Sequence, residues 1–192
     1  EVLQHALDWL PGTRPWLCTI VHAVGSSPRP VGSVMLTADD GRQVGSVSGG
    51  CIEEDLLERL RAGDHRCEQP ELIEFGVSAE ENERLGLPCG GRLTILLQRL
   101  GDSDRDWLQQ ALAALEARQC LQRRVDLHSG QTSITPVDHF VALAIDAREL
   151  RQCFGPRMRM LLVGAGQLAH KLAELGLAMD YEVIVTDPRE QL

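Results

Sequence analysis

Cysteines stand at positions 18, 51, 67, 89, 120 and 153, and two of them sit beside paired glycines. In Gly45-Ser46-Val47-Ser48-Gly49-Gly50-Cys51-Ile52-Glu53 the thiol follows two glycines at the start of an amphipathic segment. At a helix start, free backbone N–H groups and the positive end of the helix dipole lower a thiol's pKa and favour the nucleophilic thiolate. Glu53 and Glu54 oppose that effect if their carboxylates turn toward the sulfur, so the sign of the net shift is open at this level. Pro88-Cys89-Gly90-Gly91 repeats the pairing of a thiol with glycines just before a strand. Glycines next to a cysteine clear space for a large group and expose backbone donors. Arg29, on the stiff loop Pro28-Arg29-Pro30, adds a planar guanidinium suited to a phosphate. Arg29, Gly49, Gly50, Cys51, Cys89, Gly90 and Gly91 thus describe a pocket for an anionic ligand with thiol chemistry nearby. The competing reading makes Cys51 and Cys89 small buried hydrophobes and Arg29 a surface charge. Cys18, Cys67, Cys120 and Cys153 are read as structural.

A second constellation lies near the C-terminus. Gly164-Ala165-Gly166-Gln167-Leu168-Ala169 matches G-x-G-x-x-[G/A] at a strand-to-helix turn. Gly164 permits the tight turn, Gly166 lets backbone approach a pyrophosphate, and Ala169 lets helix and strand pack closely. Helix N-terminal N–H groups would hold the phosphates. Asp187 follows Gly166 by 21 positions, at the end of the next strand, where an acid binds ribose hydroxyls. Arg189 in the same place suits a 2′-phosphate. The pattern fits NAD(P) or another nucleotide, another anionic cofactor, or a tightly packed loop that binds nothing. No H-E-x-x-H, G-x-S-x-G or C-x-x-C pattern occurs, and no metal site is expected.

The elements that must position these residues follow from periodicity. A short helix with Val2, Leu3, Ala6 and Leu10 on one face stops at Pro11-Gly12, and Trp16 to Val24 reads as a strand. Val34 to Thr37 and Gln43 to Val47 are two more strands about the turn Asp39-Asp40-Gly41. Ile52 to Ala62 is a helix, with Ile52, Leu56 and Leu60 on one face and Gly63 past its end. Glu71 to Val77 and Arg92 to Gln98 suit strands, with a short helix from Ala79 to Leu85 between them. Asp104 to Arg118 is a second amphipathic helix, and strands follow at Leu121 to Leu127 and Thr132 to Thr135. From about 100 to 155 no chemical motif appears. After a change of texture at Arg151 to Pro156, the segments Arg157 to Val163, Gly164 to Met179 and Tyr181 to Asp187 read as strand, helix and strand.

The expected fold class is therefore α/β. A mixed α/β N-terminal domain spans residues 1–150, and an incomplete Rossmann-like parallel βαβ domain spans 157–192. One crossover cannot cover both faces of a parallel sheet. The expectation is that the remaining strands lie beyond residue 192 or come from another copy, which also makes a homo-oligomer plausible. The 192 residues carry a net charge of −9, with 43% hydrophobic and 24% charged side chains, ordinary globular values that exclude whole-chain disorder. An acidic chain without a basic cluster argues against nucleic acid, and no apolar run approaches the roughly 18 residues of a membrane helix. Cysteine spacing without a disulfide framework points to reduced thiols in the cytoplasm.

Gly25-Ser26-Ser27-Pro28-Arg29, then Gly45 to Glu53, then Cys89-Gly90-Gly91, then Gly164-Ala165-Gly166, in this order, resemble the XdhC/CoxI family of xanthine dehydrogenase accessory proteins. The resemblance runs from about Val21 to Asp187. It implies a chaperone that binds molybdenum cofactor (molybdopterin), promotes replacement of an oxo by a sulfido ligand with a cysteine desulfurase, and hands the product to an apo xanthine dehydrogenase or related molybdenum hydroxylase. On that reading Cys51 and Cys89 lie near the metal or the transferred sulfur, and Arg29 and the glycine loops near the pterin phosphate. It favours a carrier over an enzyme with its own turnover. The other readings are an NAD(P)-dependent oxidoreductase, which accounts only for the last thirty or so residues, and a regulatory nucleotide-binding protein.

Overall fold

Trp16 to Val21 is apolar on both sides of the pleat except at Thr19, and the structure places that strand at the centre of a sheet, buried on both faces. The computed structural model describes residues 1–25, 29–65, 68–85, 91–179 and 181–189. Helix α1 (Val2–Trp9) precedes strand β1 (Trp16–Val24), and β2 (Val34–Thr37) and β3 (Gln43–Gly45) form a hairpin beside it. Helix α2 (Cys51–Ala62), β4 (Glu71–Phe75), α3 (Ala79–Arg84) and β5 (Arg92–Arg99) complete a five-stranded sheet in the order β3-β2-β1-β5-β4. Helix α2 has Glu53 and Glu54 in its first turn and Arg59 and Arg61 in its last, as the helix dipole favours, and ends on Gly63 in the left-handed region.

The two periodicities meet in the core. Trp16, Cys18, Ile20, Met35, Ile73, Phe75, Ile95 and Leu97 line one face of the sheet, and Ile52, Leu56 and Leu60 of α2 pack onto it. Fully burying each such aliphatic side chain is worth about 1.5–3 kcal/mol. Leu17 and Leu36 on the opposite face meet α1 and helix α4 (Arg105–Glu116) through Leu3, Ala6, Trp107, Leu108 and Ala111. Val21 and Leu96 on that face meet Val125 and Leu150 of a second sheet.

That second sheet is the part least visible in the sequence. Strands β6 (Cys120–Asp126), β7 (Thr132–Val137), β8 (Ala144–Ile145) and β9 (Glu149–Phe154) pair antiparallel in the order β7-β6-β9-β8. The sequence reading did not anticipate β8 or β9. Strand β8 has two residues, and β9 carries Gln152 at a buried position, which breaks the apolar alternation. Strand β9 pairs with β6 from Glu149 to Phe154.

Strands β10 (Met158–Val163) and β11 (Tyr181–Thr186) pair in parallel, joined by helix α5 (Gln167–Ala178). A Cβ on Gly176 would lie 3.0 Å from Val183 and 3.2 Å from Met160 Sδ, so glycine there lets α5 sit close on both strands. Leu161, Val163, Leu168, Leu175 and Met179 of this unit are exposed, as expected for a parallel pair carrying one helix. Arg118 donates to the Leu177 carbonyl at 3.0 Å and Arg159 to that of Asp138 at 3.3 Å, tying the unit to the rest of the chain. No helix among the described residues is long and apolar enough to cross a membrane.

Candidate functional site

Strands β1, β3 and β4 run in one direction and β2 and β5 in the other. The loops leaving β1, β3 and β4 and the entry to β5 therefore all open at the same end of the five-stranded sheet. That topology brings Arg29, Gly49, Gly50 and Gly91 to one end of the molecule. Cys89 and Gly90, like Ser26, Ser27, Pro28 and Cys67, lie outside the described residues. Cys51 is the first residue of α2, and its side chain is likewise outside them.

The Gly91 backbone packs against two other glycines. A Cβ built on Gly25 (φ +82°) would stand 3.3 Å from Gly91 Cα, and one on Gly76 (φ +80°) only 2.1 Å from the Gly91 carbonyl oxygen. Three loops thus touch backbone to backbone, which the absence of a Cβ at Gly25 and Gly76 allows, whereas a Cβ on Gly91 itself would meet Val24 O at an ordinary 3.5 Å. Gly49 and Gly50 differ, because a Cβ at either meets nothing within 4 Å among the described residues. Both are exposed.

The residue that shapes this loop is Glu53, which the sequence places in the first turn of the helix and beside the thiol. Its Oε1 accepts from Ser46 Oγ at 2.6 Å and from the N–H groups of Val47, Ser48 and Gly49 at 3.0, 2.8 and 2.8 Å. Its Oε2 accepts from Gly50 N–H at 3.0 Å and from Ser48 Oγ. Burial opposes ionisation, but the hydroxyls of Ser46 and Ser48 and the N–H groups of Ser48 and Gly49 outweigh it and pull the carboxyl down to about 2. In this conformation an internal carboxylate takes the N–H groups of Gly49 and Gly50. The signal was present in sequence, since an acid three residues after a helix N-cap is half of a capping box.

Glu81 does the same for the loop after β4. Its Oε2 accepts from Gly76 and Val77 N–H at 3.1 and 3.0 Å, and Ser78 Oγ caps α3 by accepting from Glu81 N–H at 3.1 Å. Arg59 joins Glu81 to Asp55, which is 8% exposed and also pairs with Arg84. Helices α2 and α3 are held together beneath the loops. Arg29 is exposed, and the backbone just after it is fixed by Gly32 N–H donating to Ile20 O at 2.8 Å and Ile20 N–H to Ser33 O at 3.0 Å. Cys18, Cys120 and Cys153 are free and buried. Burial raises the Cys18 thiol, and raises that of Cys120 to about 11, so neither is a nucleophile at neutral pH.

The C-terminal constellation forms its own cluster. Gly164 (φ +100°) makes the turn after β10, Gly166 is the N-cap of α5, and Ala169 lies in its first turn. Asp187 Oδ2 accepts from Ala165 N–H at 2.7 Å and from Arg189 at 2.9 Å, while Oδ1 accepts from Arg189 N–H and Nε, both at 2.9 Å. Arg189 and these backbone donors hold the carboxyl well below the usual range. A ribose would have to displace Arg189 to reach it.

Residues 9–76 match the model of the XdhC and CoxI family. Over these residues the chain is similar to that family. The matched segment spans β1 to β4, and so includes Arg29 and the whole turn from Gly45 to Glu53. The chain is 29% identical over 191 residues to the molybdenum cofactor insertion chaperone PaoD of Escherichia coli, covering 97% of this chain and 57% of that protein. It is 27% identical over 197 aligned positions to a probable xanthine dehydrogenase subunit of Bacillus subtilis, covering 90% of this chain and 59% of that one. A crystal structure described as a xanthine dehydrogenase from Bacillus halodurans has the same fold over 98% of this chain and 63% of its own, with a TM-score of 0.61 and 23% identity. The chain spans less than two thirds of the length of each. These likenesses lend no support to a nicotinamide cofactor.

Proposed function

We propose that this protein is an accessory factor of molybdenum enzymes: it binds molybdenum cofactor as cargo, supports exchange of an oxo for a sulfido ligand, and delivers the product to an apo xanthine dehydrogenase or related molybdenum hydroxylase in the cytoplasm. The observation that carries the reading is the family match, which spans Arg29 and the Ser46–Glu53 turn at the end of the sheet where the loops converge. Likeness to a named cofactor insertion chaperone supports it. The exposed backbone at Gly49 and Gly50 fits a broad, flat group such as a pterin. Arg29 is the phosphate partner on this reading, since Glu53 already takes the N–H groups of residues 47–50. Cys51 and Cys89 are assigned to the metal end of the cargo or to the sulfur being passed. The partners are a cysteine desulfurase and the receiving apo-hydroxylase, with a second copy covering exposed apolar side chains of the C-terminal unit. Gly164, Gly166, Ala169 and Asp187 are assigned to a nucleotide or nucleotide-like part of a ligand.

The test is retention of molybdenum cofactor through gel filtration. The wild-type chain retains it, and Cys51→Ala and Cys89→Ala lose retention or the ability to activate an apo-hydroxylase. Unchanged behaviour of both variants overturns the thiol assignment. Absence of retention by a wild-type protein carrying the full length of its relatives overturns the carrier reading.

A further inference from the structure

The stretch between residues 100 and 155 carries no motif, yet it holds a fully buried arginine. Arg123 of β6 is 0% exposed and makes no ion pair with a carboxylate among the described residues. Its guanidinium lies over the Trp107 ring, 4.9 Å from the centroid, and donates through Nη1 to Gln152 Oε1 at 3.2 Å and through Nη2 to Gln98 Oε1. Burying a cation without a direct ion pair is costly, and desolvation, offset only in part by the nearby Asp104 carboxylate, lowers its pKa to about 10. An apolar side chain would fill the same space at less cost if packing were all that the position required.

What a guanidinium does that an apolar group cannot is orient amides. It has only donors, so each glutamine facing it must present its oxygen and turn its NH2 away. Gln98 Nε2 then donates to Thr132 Oγ1 at 2.9 Å, and Gln152 Nε2 donates to the Gly32 carbonyl at 2.9 Å. The β6–β9 register sets Arg123 directly opposite Gln152, and Gln152 is itself 2% exposed. Gly32, at φ +89°, lies three residues after Arg29 on the loop leaving β1. Within this chain of contacts the hydrogen bond from Gln152 is the link between the second sheet and the Arg29 loop.

We propose that Gln152, oriented by Arg123, is the positioning residue for the loop that presents Arg29, so that the second sheet sets the geometry of the phosphate-binding end of the site. The ligand role of Arg29 rests on the function proposed above, whereas the positioning of its loop does not. In Gln152→Glu the side chain keeps an oxygen toward Arg123 and gains a charge pair, but loses the donor and sets a carboxylate oxygen against the Gly32 carbonyl. In Arg123→Leu the amide of Gln152 is free to flip. Hydrogen exchange of the full-length chain, read residue by residue, is expected to rise at least tenfold at the amides of Gly32 and Ser33 in both variants, while β6 to β9 stay protected in Gln152→Glu. Retention of molybdenum cofactor falls at least fivefold in the same variants, and phosphate ion, used as a probe of Arg29, binds more weakly.

Unchanged exchange at Gly32 and Ser33 in folded Gln152→Glu overturns the proposal, as does a rise spread evenly over the second sheet. If Gln152→Glu fails to fold, Arg123→Leu decides by the same two criteria. If even the wild-type chain retains no cofactor while the loop exchange rises as stated, the positioning role stands and the cargo reading fails.

Discussion

Replacing Glu53 with glutamine tests whether an internal carboxylate organises the candidate site. The wild-type side chain collects four backbone N–H groups, from Val47 to Gly50, and two hydroxyls. Glutamine keeps one oxygen for the Oε1 partners, but turns an NH2 toward Gly50 N–H and removes the charge. The carboxyl pKa falls from 4.5 to about 2 on folding, which at about 1.4 kcal/mol per unit amounts to roughly 3 kcal/mol. Water at the exposed glycines screens part of it, leaving about 2 kcal/mol. Because the folded pKa is depressed, this contribution is complete above about pH 4.5 and drains away as the pH falls toward 2. Urea unfolding at pH 7 is expected to show Glu53→Gln destabilised by about 2 kcal/mol, or about 4–8 °C in Tm. Repeated at pH 5, 4 and 3, the gap between wild type and variant narrows steadily. A gap that stays constant over that range, or one below about 0.5 kcal/mol at pH 7, refutes the argument.

Two further outcomes follow from the same geometry. Gly76→Ala places a methyl 2.1 Å from the Gly91 carbonyl at φ +80°, and is expected to lower stability by about 2–3 kcal/mol in thermal unfolding, well above the cost of a surface change. With its pKa raised to about 11, Cys120 is expected to react with an alkylating reagent hardly at all at pH 7.5, and progressively faster toward pH 11, when modification is mapped by peptide mass.

The elements legible in sequence are those whose signal is local. Strand β1 is bounded by Pro15 and Gly25 and filled with residues that favour strands. Helix α2 carries its apolar stripe, charge bias and terminal glycine within twelve residues. The β10–α5–β11 unit is readable for the same reason, because a change from strand to helix periodicity and back needs no distant partner. The glycine–thiol segments also announced themselves, and topology brought Arg29, Gly49, Gly50 and Gly91 to one end of the sheet.

Direction and partnership were not legible. Whether Glu53 faces the thiol or its own loop depends on where the Ser46–Gly50 backbone goes. That the Gly91 backbone abuts Gly25 and Gly76 depends on loops far apart in sequence. Strand β9 was hidden because Gln152 looks like a surface residue, and it is buried only because Arg123 lies across the sheet and Gly32 lies 120 residues earlier in the chain. An apolar side chain declares its burial by type, since leaving water is favourable wherever it packs. A polar one is buried only when its hydrogen-bond partners are already in place. The sequence by itself therefore determined the local elements and the chemistry available to the site, and the tertiary structure decided which polar groups are spent on holding its loops.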